Sequence, residues 1–156
     1  MQKITPFLWF NKEAGEAAEF YVSVFKGSRI KDKQIVHDTP SGTIEIITIE
    51  LFGQEFTLMS AGPTFKINEA ISFVVNCDGQ GEVDYYWEKL TTDGGEESMC
   101  GWLKDKFGVS WQIIPKQLNE LTSSPDKTKA ARATQAMLKM KKIDIAELER
   151  SVNEAK

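Results

Sequence analysis

At 156 residues, with 41% hydrophobic and 27% charged residues, the chain has the size and composition of one ordinary globular domain, or of two small halves sharing a core. A net charge of −4 argues against general nucleic-acid binding. No apolar run approaches the ~20 residues that span a bilayer, and no signal peptide is evident, so a cytoplasmic protein is expected. Cys77 and Cys100 sit in apparent strands without metal-like spacing and are expected to be reduced and buried.

Taken in order, Ile4 to Phe10 predicts a strand, and Asn11 is placed to cap the helix that follows. Ala14, Ala17, Ala18, Tyr21 and Phe25 form an apolar stripe at helical spacing, ended by Gly27. Arg29 to His37 predicts a strand, Pro40-Ser41-Gly42 a turn, and Thr43 to Phe52 a half-buried strand; Glu55 to Ser60 pairs back across Gly53-Gln54. The order is β-α-β-β-β. A polar connector from Ala61 to Glu69 precedes a second such series. Ala70 to Cys77 predicts a strand, and Val83, Tyr86, Trp87 and Leu90 stripe a helix entered at Gly79-Gln80-Gly81 and ended by Gly94-Gly95. A short strand near Glu96 to Met99 leads into the strongest strand signal of the chain. There Trp102 and Leu103 climb, Asp105 to Gly108 turn, and Val109 to Ile114 return.

The two series echo one another. Phe107-Gly108-Val109-Ser110-Trp111-Gln112-Ile113-Ile114 follows the pattern of Phe52-Gly53-Gln54-Glu55-Phe56-Thr57-Leu58-Met59. Ile4-Thr5-Pro6-Phe7 likewise matches Ile71-Ser72-Phe73-Val74, and Phe20-Tyr21 matches Tyr86-Trp87. An internal repeat follows, with Thr57 as the counterpart of Gln112 and Thr5 of Ser72. Along the last strand Trp111, Ile113 and Pro115 point one way and Ser110, Gln112 and Ile114 the other, which projects the Gln112 amide from a face expected to line a cavity.

After Pro115 the composition changes. Ser124-Pro125 predicts a helix start, with Ser124 as cap. Ala130, Ala133, Met137 and Met140 form a narrow stripe of small and pliable residues, and Asp144 with Glu147 predicts the start of a last helix carrying Ile145, Leu148 and Val152. Lys116 to Lys142 carries seven basic and two acidic residues, net +5, leaving −9 elsewhere. This basic segment is expected to lie against an acidic body, its own or a partner's. His37, the only histidine, is expected to be exposed, and Glu96 and Glu97 to point apart on a solvated edge. Of Trp9, Trp102, Trp111, Phe7 and Phe73, most are expected in the core and one or two to wall a groove.

The paired β-α-β-β-β pattern resembles the vicinal oxygen chelate superfamily of glyoxalase I, bleomycin-resistance proteins and extradiol dioxygenases. Within it, Cys100-Gly101-Trp102-Leu103-Lys104-Asp105, Gly108-Val109-Ser110-Trp111-Gln112-Ile113, Pro115 and the run Met137-Leu138-Lys139-Met140-Lys141-Lys142-Ile143-Asp144 resemble the PhnB-like family, often labelled 3-demethylubiquinone-9 3-methyltransferase. The resemblance implies an α+β fold: two βαβββ modules forming a cupped mixed sheet, with added C-terminal helices. The expected organisation is a paired domain over 1–116 (modules 1–63 and 70–115) and a helical extension over 117–156, packed on that domain or on a dimer partner. The stripe from Ala130 to Met140 and superfamily habit together predict a homodimer.

Metal-dependent superfamily members take one ligand from each of four strands, and the matching positions here are Thr5, Thr57, Ser72 and Gln112. Three hydroxyls and one amide bring no charge to offset dehydration of a divalent ion, so neither metal nor cofactor is expected. The expected function is metal-free binding of a small molecule at these four residues with Trp9 and Trp102, or catalysis on an unidentified substrate. A metal-dependent lyase or dioxygenase, and an interaction module without a working site, are the alternatives. The methyltransferase label finds no support, because the first strand runs into Asn11-Lys12-Glu13-Ala14-Gly15 and lacks a glycine-rich nucleotide turn. Neither nucleic acid nor membrane is expected as a partner.

Overall fold

A computed structural model describes residues 2–153 and divides at Ile67/Asn68 into two units. Met1 and residues 154–156, which the expected boundaries include, lie outside the described residues.

The first unit holds β1 (Phe7–Phe10), α1 (Ala14–Val24), β2 (Arg29–Thr39), β3 (Gly42–Leu51) and β4 (Gln54–Ser60). Its sheet has the order β1-β4-β3-β2, with β1 parallel to β4 and the other pairs antiparallel. Ile47, Ile49, Leu51, Phe56 and Leu58 turn one face of the sheet toward α1, whose Ala14, Ala17, Ala18 and Tyr21 are buried. The β3–β4 hairpin turns on two left-handed residues, Phe52 (φ 50°) and Gly53 (φ 78°), a geometry matched to the twist of paired strands. Phe52 tolerates it while its ring packs edge-on against Phe25 at 5.8 Å.

Two local expectations need correction. The first strand begins at Phe7 rather than Ile4, because Pro6 brings no N–H and the Gln2 side chain takes the place of backbone there. Its amide donates to Glu55 O at 3.0 Å and accepts from Glu55 N at 2.9 Å, as a strand residue would. The cap of α1 is not Asn11: Ala14 N donates instead to Ser60 Oγ at 2.9 Å, a residue distant in sequence that the sheet delivers to the helix start.

The second unit repeats the plan with β5 (Ser72–Cys77), α2 (Gln80–Leu90), β6 (Glu96–Glu97), β7 (Trp102–Lys104) and β8 (Ser110–Pro115). The order β5-β8-β7-β6 and the parallel β5–β8 pair reproduce the first sheet. The register agrees as well: Phe7 stands opposite Thr57 and Val74 opposite Gln112. The repeat read in the sequence is therefore a repeat of structure. Val75, Cys77, Leu103, Trp111 and Ile113 are buried on the α2 side, where Trp87 Nε1 donates to Glu97 Oε1 at 2.7 Å. The strand forecast at Ala70 starts at Ser72, and the one forecast to Met99 stops at Glu97. Cys100 lies in a left-handed turn (φ 61°), not in a strand, and is only partly buried. Gly101 beside it (φ 83°) must remain glycine, since a Cβ would sit 3.0 Å from Ile113 O and 3.1 Å from Ile143.

Three further helices complete this unit: α3 (Lys116–Thr122), α4 (Lys127–Met137) and α5 (Ile145–Asn153). Helix α3 was not foreseen. Helix α4 starts two residues beyond the expected point, capped by Asp126, whose carboxylate accepts from Thr128 N and Lys129 N at 3.0 and 3.2 Å; Ser124 accepts from Asp126 N instead. Asp144 caps α5 as expected, accepting from Glu147 N at 3.1 Å. Ile114 of β8 forms an apolar cluster with Leu118, Met140, Ile143 and Leu148, against which Met137 and Ala136 pack. Of the Ala/Met stripe, Ala133 and Met140 are buried within this unit, while Ala130 and Met137 remain partly exposed.

Candidate functional site

Strand pairing sorts the site residues by face, because residues directly opposite in neighbouring strands share one face of the sheet. In the second unit Ser72, Val74, Trp102, Gln112 and Ile114 share the face turned away from α2. Gln112 stands between Val74 and Trp102, and its Nε2 donates to Ser72 Oγ at 2.9 Å. That bond fixes one amide N–H and leaves the second N–H and the carbonyl oxygen for other partners. Three of the expected residues, Ser72, Trp102 and Gln112, are brought together here. Trp111 and Phe73 turn to the opposite face, their rings 5.5 Å apart.

A cavity of about 350 Å³ opens on the Gln112 face. Val74, Trp102 and Gln112 form the sheet side, and Leu118, Asn119 and Thr122 of α3 with Met137 of α4 form the other. Sequence reading missed the helical wall. The apolar pair Leu118 and Leu121 immediately after Pro115 is the signal that was available for α3.

In the first unit Thr57 and Trp9 lie on the face turned away from α1, opposite Phe7 and Met59 respectively. Thr57 is buried, and its N–H donates to Pro6 O at 2.9 Å. Trp9 Nε1 donates to Gly62 O at 2.8 Å, with Phe65 edge-on to the ring at 5.0 Å. Thr5 precedes β1 and is partly buried.

The donor chemistry does not fit a divalent metal. Ser72 and Gln112 are neutral and already bonded to one another, and among the described residues no three His, Cys, Asp or Glu side chains converge. His37 is exposed, its Nδ1 3.2 Å from Thr43 Oγ1. Both cysteines are free; burial, then Glu82 and Asp78, push the Cys77 thiol up to about 12.

The family described as 3-demethylubiquinone-9 3-methyltransferase matches residues 2–114. The chain belongs to that family. The PhnB protein of Bacillus cereus, a solved member, is 33% identical over 73% of this chain and 99% of its own, with a TM-score of 0.65. A protein from Pseudomonas aeruginosa (21% identity, 74% and 98% covered, TM-score 0.59) shares the fold. So does the fosfomycin resistance protein FosX of Listeria monocytogenes (15%, 76% and 94%, TM-score 0.57). No curated protein matches the sequence. The chain therefore has the α+β glyoxalase/bleomycin-resistance fold of the vicinal oxygen chelate superfamily, and the PhnB-like match ends at residue 114, ahead of α3. No specific activity is established by this membership, and the methyl transfer in the family's description has no counterpart in the site. β1 passes into α1 through Asn11, Lys12 and Glu13, without a glycine-rich nucleotide cradle.

Proposed function

We propose that the chain binds a small organic molecule without a metal, against the open face of the second sheet, with Gln112 as the polar anchor. The observation that supports this most is the Gln112–Ser72 bond, which holds a half-satisfied amide beside Trp102 at the edge of a cavity of about 350 Å³. Concave, largely apolar sites with one or two fixed polar groups are the usual form of small-molecule sites. Thr5, Thr57 and Trp9, the matching positions of the first unit, are proposed as a second set of ligand contacts. The extension over 117–156 is proposed to complete the ligand site. A cytoplasmic homodimer is also proposed. Two free cysteines fit a reducing compartment. The exposed Ile4, Phe7 and Ile71, on or just before the edge strands β1 and β5, fit a surface that a second copy covers. Among the described residues no helix is long and apolar enough to cross a membrane.

The test is a thermal-shift screen of uncharged and charged metabolite-sized compounds on the wild-type chain and on Gln112→Ala, with metal content measured on protein purified without chelator. A ligand that binds only the native state raises Tm, and by about 2.7 kcal/mol of stability at a hundredfold excess over Kd. Compounds should stabilise the wild type and lose that effect in Gln112→Ala. Stoichiometric zinc, manganese or iron would overturn the metal-free reading in favour of a lyase or dioxygenase. Hits indifferent to Gln112 would move the site elsewhere.

A further inference from the structure

The cavity beside Gln112 is closed by residues that lie beyond the family match: Leu118, Asn119 and Thr122 of α3, and Met137 of α4. Among its described lining residues there is no carboxylate, ammonium, guanidinium or imidazole. Lys104, two residues along β7 from Trp102, is ion-paired with Glu69, and that bond holds its ammonium above the ordinary value. The hydrogen-bonding capacity that remains is neutral and of both signs. Gln112 keeps one N–H and its carbonyl oxygen after bonding Ser72. Thr122 donates its hydroxyl proton to Leu118 O at 2.9 Å, which leaves the oxygen as an acceptor. Asn119 adds a second primary amide. Between these groups lie the Trp102 ring, Val74 and the pliable side chain of Met137.

We infer that this cavity takes a compact uncharged ligand bearing a carboxamide-type group (primary amide, lactam or urea) on an apolar ring, and that Asn119 and Thr122 of α3 select for it. The inference rests on the ligand site proposed above and adds its chemical class. A carboxamide offers a donor beside an acceptor, which matches the amides of Gln112 and Asn119 and the acceptor oxygen of Thr122. A carboxylate or phosphonate offers acceptors alone, and would give up the hydration of a full charge where no cation replaces it. An ammonium fails for the converse reason. The volume suits a single substituted ring, at the lower end of the range for small-molecule sites.

Three probes with one ring and three charges test this: benzamide, benzoate and benzylammonium, titrated to millimolar concentration into the full chain. The readout is the set of side-chain amide resonances of Gln112 and Asn119. Benzamide should shift both saturably, at least about tenfold more tightly than either charged probe. In the variant Asn119→Ala/Thr122→Val, benzamide should bind about tenfold more weakly, at a melting temperature close to wild type because Asn119 is exposed. Equal or tighter binding of benzoate or benzylammonium at the same resonances would overturn the ligand class and leave the site in place. Unchanged benzamide affinity in the double variant would overturn the selecting role of α3. If no probe shifts Gln112 or Asn119, both this inference and the site beneath it fall.

Discussion

Asp105 is only 2% exposed, and hydrogen-bond donors surround its carboxylate. Its carboxylate accepts from Phe107 N at 2.9 Å, Val109 N at 3.1 Å and the indole of Trp111 at 2.9 Å, and so closes the β7–β8 turn onto the core side of the sheet. Asp105→Ala removes three bonds and strands the donors in a dry site. The expected loss is on the order of 3 kcal/mol, read from denaturant melts, with Gln112 pulled out of register beside Trp102. A loss under about 1 kcal/mol would mean that water reaches the turn. The sequence makes Asp105 legible as a turn residue, because Asp and Gly at this spacing fit a tight hairpin. Its burial was not legible, since that depends on where the Trp111 indole points. Gln112 and Ser72 were legible through strand alternation and the repeat. Asn119 and Thr122 were not, because they lie on a helix beyond the repeat and gain meaning only when α3 folds over the sheet face.

At the scale of elements, α2 is fastened to the start of α5 by two side chains. The Gln80 amide donates to Asp84 Oδ1 and to Ile143 O at 2.9 and 3.0 Å and accepts from Ile145 N at 2.8 Å, while Asp84 pairs with Lys142 at 2.8 Å. The Lys142 bond first, and Gln80 second, hold the Asp84 carboxyl below its ordinary 3.8. A carboxyl lowered in the folded state stabilises fully above its unfolded value, and the contribution disappears as pH falls through the folded one. Asp84→Asn should therefore lower Tm at neutral pH, by less than about 1 kcal/mol of stability because the pair is half exposed. The gap between variant and wild type should close in acid below 3.8 and shrink with added salt. Melting curves across pH measure it; a gap that persists at the acid end would assign the effect to packing. Charge counting leads to the expectation that the basic segment lies against an acidic body. It could not single out Lys142 and Asp84, which is a matter of how two helices dock. The same limit explains the caps: Asn11 and Ser124 have the right chemistry, but Ser60 and Asp126 have the right positions.

For the whole molecule, the two sheets have one topology and different surroundings. Each carries one helix of its own module, and only the second unit carries α3, α4 and α5. The apolar cluster of Ile114 with Leu118, Met140, Ile143 and Leu148 makes these helices part of the core of that unit. The backbone agrees: Cys100 N and Gly101 N donate to Met140 O and Lys141 O, both at 2.8 Å. A chain ending at Pro115 would uncover Ile114 and leave both donors without partners. It should aggregate on size-exclusion chromatography and lose the cooperative melt of the second unit. A monodisperse truncation with an unchanged melting temperature would show that the helices contribute nothing to it.

In each sheet the first strand made is bonded to the last strand made, β1 to β4 and β5 to β8. This shapes the birth of the protein at the ribosome. The first sheet has every strand in hand once Ser60 has emerged. Strand β5, starting at Ser72, must wait for Ser110–Pro115, an interval of roughly 2–9 s at ordinary rates of translation. Throughout it, the nascent chain presents an unpaired edge bearing Val74, the kind of surface that captures other nascent strands. Strand β1 meets the same hazard over the longer interval from Phe7 to Ser60, and in the second half the helices that finish the core arrive last.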